Sequence, residues 1–130
     1  MTTNAITVLE MDHIVLNCAD VEATLAWYVD QLGLAPVRVD EWRRGKAPFP
    51  SVRVNPSTIV DLVEGDSSAG RLDHFCLVIA PTDLGELARS GRFDVVDGPV
   101  SRFGARGDGM SLYVRDPDGG TVELRCYVDR

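Results

Sequence analysis

Four polar side chains at repeated positions could together bind a metal ion. His13 and His74, the two histidines of the 130-residue chain, lie 61 residues apart in the matching segments MDHIVL and LDHFCL. Asp61 and Glu123 lie 62 residues apart in the matching segments VDL and VEL. Imidazole nitrogens and carboxylate oxygens bind zinc, nickel, manganese and iron(II), and such a set leaves coordination positions for substrate oxygens. The alternative is a hydrogen-bonded polar network that binds nothing.

A third match at nearly the same offset completes an internal repeat. The segment SVRV at residues 51–54 recurs as SLYV at residues 111–114. Three matches in chain order indicate two copies of a module of about 60 residues. We therefore predict one domain over residues 1–130, with a first module at 8–64 and a second at 72–127.

Both copies predict the same order of elements, which is one strand, one helix and three further strands. In the first copy Asp20 is the expected N-cap of a helix that ends at Gly33. In the second copy we expect a helix that is capped by Thr82 and ends near Gly91. The predicted strands are Val8–Cys18, Leu34–Glu41, Ser51–Asn55 and Ser57–Glu64 in the first copy, and Leu72–Ala80, Phe93–Asp97, Met110–Arg115 and Thr121–Tyr127 in the second.

The alternation of apolar residues along these strands predicts which side chains face the helices. Successive residues of a strand point to opposite faces of the sheet. In the first strand the apolar set turns His13 away from the helix. The same alternation in three other strands turns His74, Asp61 and Glu123 away as well. We therefore expect the four polar side chains to share one face, brought together by the pseudo-twofold symmetry of the repeat.

Composition and charge exclude two classes of partner. The formal net charge of −7 opposes binding to nucleic acid. No apolar run approaches the roughly 18 residues that a membrane span requires. The three cysteines are widely spaced, and the N-terminal segment lacks the basic and apolar regions of a secretory signal. We therefore expect a cytoplasmic protein that binds neither nucleic acid nor membrane.

The sequence resembles the vicinal oxygen chelate superfamily, which includes glyoxalase I, extradiol dioxygenases and bleomycin-binding proteins. The stretch MDHIVLNCADVEATLAWYVDQLGL is similar to the opening strand and helix of that family, and SLYVRDPDGGTVELR is similar to its closing hairpin. The resemblance implies an α+β fold in which two tandem βαβββ modules form a concave sheet cavity. Within the family the chain is most similar to the small glyoxalase-domain proteins.

The resemblance also implies a ligand set. It places metal ligands at His13, His74 and Glu123, and the remaining position falls on Asp61. Glyoxalase I usually has a glutamate or glutamine there, and Asp61 is one methylene shorter. We therefore expect Asp61 to act as a catalytic base or to reach the metal through a water molecule. The implied cofactor is one divalent ion, which can be zinc, nickel, manganese or iron(II).

Lyase or isomerase chemistry on a small molecule with vicinal oxygens is the function that the resemblance favours, with the metal stabilising an enediolate. One alternative is an iron(II) extradiol-type dioxygenase, although the chain has no third histidine. The other is a non-catalytic drug-binding protein of the bleomycin-resistance type, which has no need of the four polar residues.

Arg53 and Tyr113 occupy equivalent repeat positions, and we expect both to face the cavity. Arg53 could bind a substrate carboxylate through two parallel hydrogen bonds, and the alternative is an ordinary solvated arginine. Tyr113 could donate a hydrogen bond to a substrate oxygen or line the wall of the cavity.

A homodimer is the expected assembly. Each half-open sheet leaves an edge of unpaired backbone groups, which proteins usually cover. A C2 contact would bury these edges. The modules could pair within one chain or by exchange between two chains, and the sequence leaves both arrangements open.

Overall fold

The computed structural model describes residues 6–127, apart from the side chain of residue 69, and has an α+β architecture. Within this part of the chain there are eight β-strands, three α-helices and one 3-10 helix. In chain order they are β1 (Val8–Cys18), α1 (Val21–Leu32), β2 (Ala35–Val37), α2 (Val39–Arg43), β3 (Ser51–Asn55), β4 (Thr58–Glu64), the 3-10 helix (Ser67–Ala69), β5 (Leu72–Ile79), α3 (Leu84–Arg89), β6 (Asp94–Gly104), β7 (Gly107–Arg115) and β8 (Thr121–Cys126).

The chain divides into two compact units. Residues 13–74 form the first, which we call the histidine unit. Described residues 75–127 together with 6–12 form the second, which we call the glutamate unit. The predicted order of strand, helix and three strands occurs twice along the chain, with α2 as an addition in the first copy. The module bounds at 8–64 and 72–127 stay a prediction.

In the histidine unit, the order of strands is β2-β3-β4-β1. β1 runs parallel to β4, and β3 runs antiparallel to both β2 and β4. The helix α1 begins after Asp20, whose side chain accepts a hydrogen bond from the backbone N–H of Ala23, and ends at Gly33 with φ of 71°. Both ends agree with the sequence prediction. Val21 and Leu25 of this helix pack into a core with Val52 and Leu62 of the strands.

In the glutamate unit, the order of strands is β5-β8-β7-β6. β8 runs parallel to β5 and antiparallel to β7. The helix α3 has six residues, half the length of α1. Leu84 and Leu87 of α3 pack into a core with Leu112, Val114 and Leu124.

Two predicted elements of the sequence analysis are wrong. The expected strand Leu34–Glu41 ends at Val37, because Arg38 takes a left-handed conformation with φ of 58° and α2 follows. The expected cap Thr82 instead donates its hydroxyl hydrogen bond to the carbonyl oxygen of Ala80. Asp83 caps α3, since its side chain accepts from the backbone N–H of Glu86.

The hairpin of β6 and β7 is longer than the sequence predicts. The prediction ended the first of these strands at Asp97 and began the next at Met110. A register shift between Asp97 and Val100 instead lets β6 continue past Gly98 and Pro99. Among the described helices, none has the length and apolar content needed to cross a membrane.

Candidate functional site

The two histidines lie close together in the histidine unit. His13 in β1 is 3% exposed, and His74 in β5 is half-buried. Their ring centroids are 5.9 Å apart, and the ring planes cross at 80°. The structure therefore brings together two residues that the repeat in the sequence had singled out as equivalent.

Asp73 orients the ring of His74. Its carboxylate oxygen Oδ2 lies 2.8 Å from Nδ1 of His74. Because a carboxylate only accepts hydrogen bonds, this contact places the proton of the neutral ring on Nδ1 and the lone pair on Nε2. In metal sites, a carboxylate behind a histidine fixes its tautomer in this way. Sequence reasoning missed Asp73, although an aspartate precedes the histidine in both copies of the repeat.

Asp61 lies beside His13. In the register of the two parallel strands Asp61 is opposite Val15, which places Asp61 on the same face of the sheet as His13. Its side chain is buried, and its oxygen Oδ2 is 3.7 Å from Nε2 of His13. The hydroxyl of Ser51 donates a hydrogen bond of 2.5 Å to the other oxygen, Oδ1. The structure thus confirms the predicted face for His13 and Asp61, and shows that both side chains are buried.

Glu123 belongs to the glutamate unit, where it has partners of its own. Its side chain is fully buried in β8. The hydroxyl of Ser111 donates a hydrogen bond of 2.6 Å to Oε2. Nη2 of Arg125 lies 3.2 Å from the same oxygen. Ser51 and Ser111, which sequence reasoning used only to detect the repeat, therefore make equivalent contacts to the two acids.

Arg125 is a fully buried cation that sequence reasoning missed. Besides Glu123, it donates hydrogen bonds to the carbonyl oxygens of Phe103 at 3.1 Å and Gly107 at 3.2 Å. Gly104 provides the space, because a Cβ at that residue would lie 2.2 Å from Nη1 of Arg125. Alternation along β8 puts Arg125 on the face of Glu123, and this was the available signal.

The surroundings of Arg125 keep it charged. Burial by itself would lower the pKa of the guanidinium, but electrostatic interactions with neighbouring acidic side chains, led by Cys76 and Glu123, outweigh burial and raise its pKa above the usual range. Tyr127 and Asp12 act in the same direction. The glutamate unit therefore holds a permanent positive charge next to Glu123.

Tyr127 and Asp12 extend this buried network. The hydroxyl of Tyr127 donates a hydrogen bond to Asp12, which also accepts one of 3.0 Å from the backbone N–H of Ala105. Burial raises the pKa of Tyr127, and the hydrogen bond to Asp12 raises it further. Tyr127 therefore acts as a neutral donor at physiological pH.

The two residues expected to bind substrate lie on the same faces as the acids. Arg53 follows Ser51 by two positions along β3, and its Nη1 donates hydrogen bonds of 3.3 Å to the carbonyl oxygens of Asn55 and Pro56. Tyr113 is directly opposite Glu123 in the β7–β8 register. The guanidinium of Arg102 stacks over the Tyr113 ring at 6.0 Å. Substrate binding by Arg53 and Tyr113 stays a prediction.

Two kinds of chemistry suit these groups. Imidazole nitrogens with nearby carboxylate oxygens form the borderline donor set that divalent first-row metals prefer. A buried carboxylate with one oxygen fixed and the other near an imidazole is also a suitable general base.

Comparison with known proteins identifies the family. Residues 10–124 match the family model described as the Glyoxalase/Bleomycin resistance protein/Dioxygenase superfamily. The chain belongs to this superfamily. Among superfamily relatives, the virulence protein STM3117 of Salmonella typhimurium is 32% identical over 123 residues, which cover 91% of this chain and 84% of that protein. The glyoxalase domain-containing protein RDO1 of Mycosarcoma maydis is 32% identical over 135 residues, which cover 95% of this chain and 72% of that protein.

Solved structures of the superfamily share the fold. Methylmalonyl-CoA epimerase from Mycobacterium tuberculosis aligns with a TM-score of 0.64 at 18% identity, covering 97% of this chain and 92% of that one. A superfamily member from Vibrio splendidus aligns with a TM-score of 0.56 at 16% identity, with coverage of 95% and 100%. The predicted family and α+β fold class are therefore confirmed.

Proposed function

We propose that this protein is a metal-dependent enzyme that acts on a small molecule with vicinal oxygens, by lyase or isomerase chemistry. The observation that carries the proposal is the group of His13, His74 and Asp61 in the histidine unit. Two imidazoles and a buried carboxylate lie together there, with His74 already oriented by a second carboxylate. Methylmalonyl-CoA epimerase shares the architecture alone, so the proposal rests on the side chains.

His13, His74 and Glu123 would hold the ion. The lone pair on Nε2 of His74 and the buried state of both His13 and Glu123 fit a neutral-imidazole and carboxylate donor set. Zinc, nickel, manganese and iron(II) all accept this set. When bound, the ion supplies Lewis-acid polarisation of a substrate carbonyl.

Asp61 would act as the base. Ser51 holds Oδ1 of Asp61 by a hydrogen bond, and the other oxygen, Oδ2, lies near the ring of His13. We assign to Oδ2 the removal of a proton from the carbon next to the substrate carbonyl, and the return of that proton to a neighbouring atom of the same substrate. Arg53 would bind a substrate carboxylate and Tyr113 a substrate oxygen.

Elemental analysis of protein that was purified without a histidine tag tests the metal centre. We expect one divalent ion for each chain. Replacing His13, His74 or Glu123 with alanine should release most of the metal while leaving the circular dichroism spectrum largely intact. Full metal occupancy in Glu123→Ala would refute the ligand set.

Asp61→Asn tests the base separately. The asparagine keeps the size of the side chain but removes its basicity. We expect this variant to retain the metal and to lose about 10²- to 10⁴-fold in the rate of solvent deuterium incorporation into α-hydroxycarbonyl compounds, followed by NMR. Loss of the metal in Asp61→Asn would make Asp61 a ligand instead of the base.

A homodimer is part of the same proposal. β2 is an end strand of the histidine unit and β6 is an end strand of the glutamate unit, and exposed sheet edges favour coverage by a second chain. Sedimentation at micromolar concentration should show a dimer, and a monomer would refute it. If modules exchange between chains, mixing His13→Ala with Glu123→Ala subunits should restore about a quarter to a half of the metal sites.

A further inference from the structure

One carboxylate oxygen of Glu123, Oε2, accepts hydrogen bonds from two side chains. Ser111 donates to Oε2 at 2.6 Å, and Nη2 of Arg125 reaches the same atom at 3.2 Å. All three side chains lie in the buried part of the glutamate unit. Two donors on one oxygen set both the position of the carboxylate and its rotation about the last side-chain bond.

The donors themselves cannot easily move. Arg125 is anchored by the carbonyl oxygens of Phe103 and Gly107 and by the hydroxyl of Tyr127 at 3.3 Å. A guanidinium has a planar fork of donors, so several simultaneous acceptors fix its plane. The backbone of Gly104 lies against the guanidinium, since a Cβ at this residue would be 2.7 Å from Cζ of Arg125.

We infer that Ser111 and Arg125 are positioning residues, which hold Oε2 of Glu123 and so set the orientation in which its carboxylate would bind the ion. This inference rests on the proposed function, since it concerns the same ion. Outer partners of ligating carboxylates set their orientation, and loss of such a partner typically weakens metal affinity by about 10- to 100-fold.

The histidine unit repeats half of this arrangement. Ser51 holds Oδ1 of Asp61 as Ser111 holds Oε2 of Glu123. Val63 stands at the position that corresponds to Arg125. The added guanidinium therefore distinguishes the acid that we assign as a ligand from the acid that we assign as a base.

Zinc alone is the probe for the test. Metal-free wild type, Ser111→Ala and Ser111→Thr are titrated with Zn²⁺ in competition with a chromophoric chelator. We expect Ser111→Ala to bind zinc about 10- to 100-fold more weakly, and Ser111→Thr, which keeps the hydroxyl, to stay within roughly threefold of wild type. Ser90→Ala is the matched control, because Ser90 donates one side-chain hydrogen bond in the same unit, to Leu87.

A spectroscopic measurement separates positioning from stability. The d–d absorption bands of bound Co²⁺ should shift in Ser111→Ala and stay unchanged in Ser90→Ala. Wild-type affinity and an unaltered cobalt spectrum in Ser111→Ala would overturn the inference, as would equal losses in the alanine and threonine variants. If wild type itself binds no metal, the proposed function fails first, and the two failures are distinguishable.

Discussion

Asp61 and Glu123 occupy equivalent positions in the two units, yet their surroundings differ. Each is buried, and each accepts a hydrogen bond from a serine at the equivalent position of the preceding hairpin strand. Two residues later, one copy has Val63 and the other has Arg125. The repeat thus retains the contact that orients an acid and changes the charge beside it.

This difference separates two chemical roles. A buried cation at 3.2 Å stabilises Glu123 as an anion and suits a permanent ligand. Asp61 instead has the imidazole of His13 near it, at 3.7 Å. A carboxylate beside an imidazole can exchange a proton with substrate more readily than one that is committed to a guanidinium.

Removal of the buried cation, Arg125, should have the largest effect on the free energy of unfolding. We expect Arg125→Leu to lower the free energy of unfolding of the metal-free protein by about 3–5 kcal/mol, because it leaves a buried carboxylate without its partner. Urea denaturation measures the change. Val63→Ala, at the equivalent position, should cost about 1 kcal/mol or less. A loss below about 1 kcal/mol in Arg125→Leu would mean that Glu123 does not depend on the guanidinium.

Removal of the hydroxyl of Ser51 or Ser111 should have an intermediate effect on the free energy of unfolding. A hydrogen bond to a charged group contributes roughly 1.5–3 kcal/mol. We expect Ser51→Ala to lie near the upper end and Ser111→Ala near the lower end, because Arg125 still contacts Oε2 in the second variant. Chemical denaturation of the two proteins side by side gives the comparison. An equal or larger loss in Ser111→Ala would contradict it.

Because of Tyr127, the folding stability of the protein should decrease at alkaline pH. Burial and the bond to Asp12 raise its pKa in the folded protein, so its stabilising effect is complete below the ordinary value of 10.0 and is lost as pH rises through the raised value. We expect wild type to lose stability over that range relative to Tyr127→Phe. Denaturation curves at several alkaline pH values measure this difference. Parallel stability profiles for the two proteins would refute it.

The smallest effect should come from an exposed ion pair in the histidine unit. Arg43 donates hydrogen bonds of 2.9 and 2.7 Å to Glu22, and these bonds lower the pKa of Glu22. Surface pairs contribute little and are screened by salt. The difference in unfolding midpoint between wild type and Glu22→Gln should be small and should vanish in roughly 1 M salt. In contrast, the effect of Arg125→Leu should survive salt.

Sequence patterns predict those structural features that depend on residues close together in the chain. Alternation along β1 and β4 predicts the face on which His13 and Asp61 lie, and the cap and stop of α1 follow from Asp20 and Gly33. The choice between Thr82 and Asp83 as a cap depends on which neighbouring group the hydroxyl meets, and here it meets the carbonyl of Ala80. The residue types alone therefore do not predict which of the two side chains caps the helix.

The buried network of Arg125 could not be predicted for a different reason. Its acceptors include backbone carbonyls of Phe103 and Gly107, which any sequence would supply. Only the conformation of the β6–β7 hairpin turns those carbonyls toward the guanidinium. The sequence pattern predicts that one strand ends at Asp97 and the next begins at Met110, so Phe103 and Gly107 fall outside both predicted strands.

The position of Asp12 also constrains the order in which the protein can assemble on the ribosome. Asp12 leaves the exit tunnel before its partners Ala105 and Tyr127, which are 93 and 115 residues later. The histidine unit is a continuous stretch, whereas the glutamate unit combines two separate stretches, described residues 6–12 and 75–127. Domains generally fold in the order of synthesis, and long-range contacts close last. Asp12 in β1 therefore cannot be covered by these partners until Tyr127 has been synthesised.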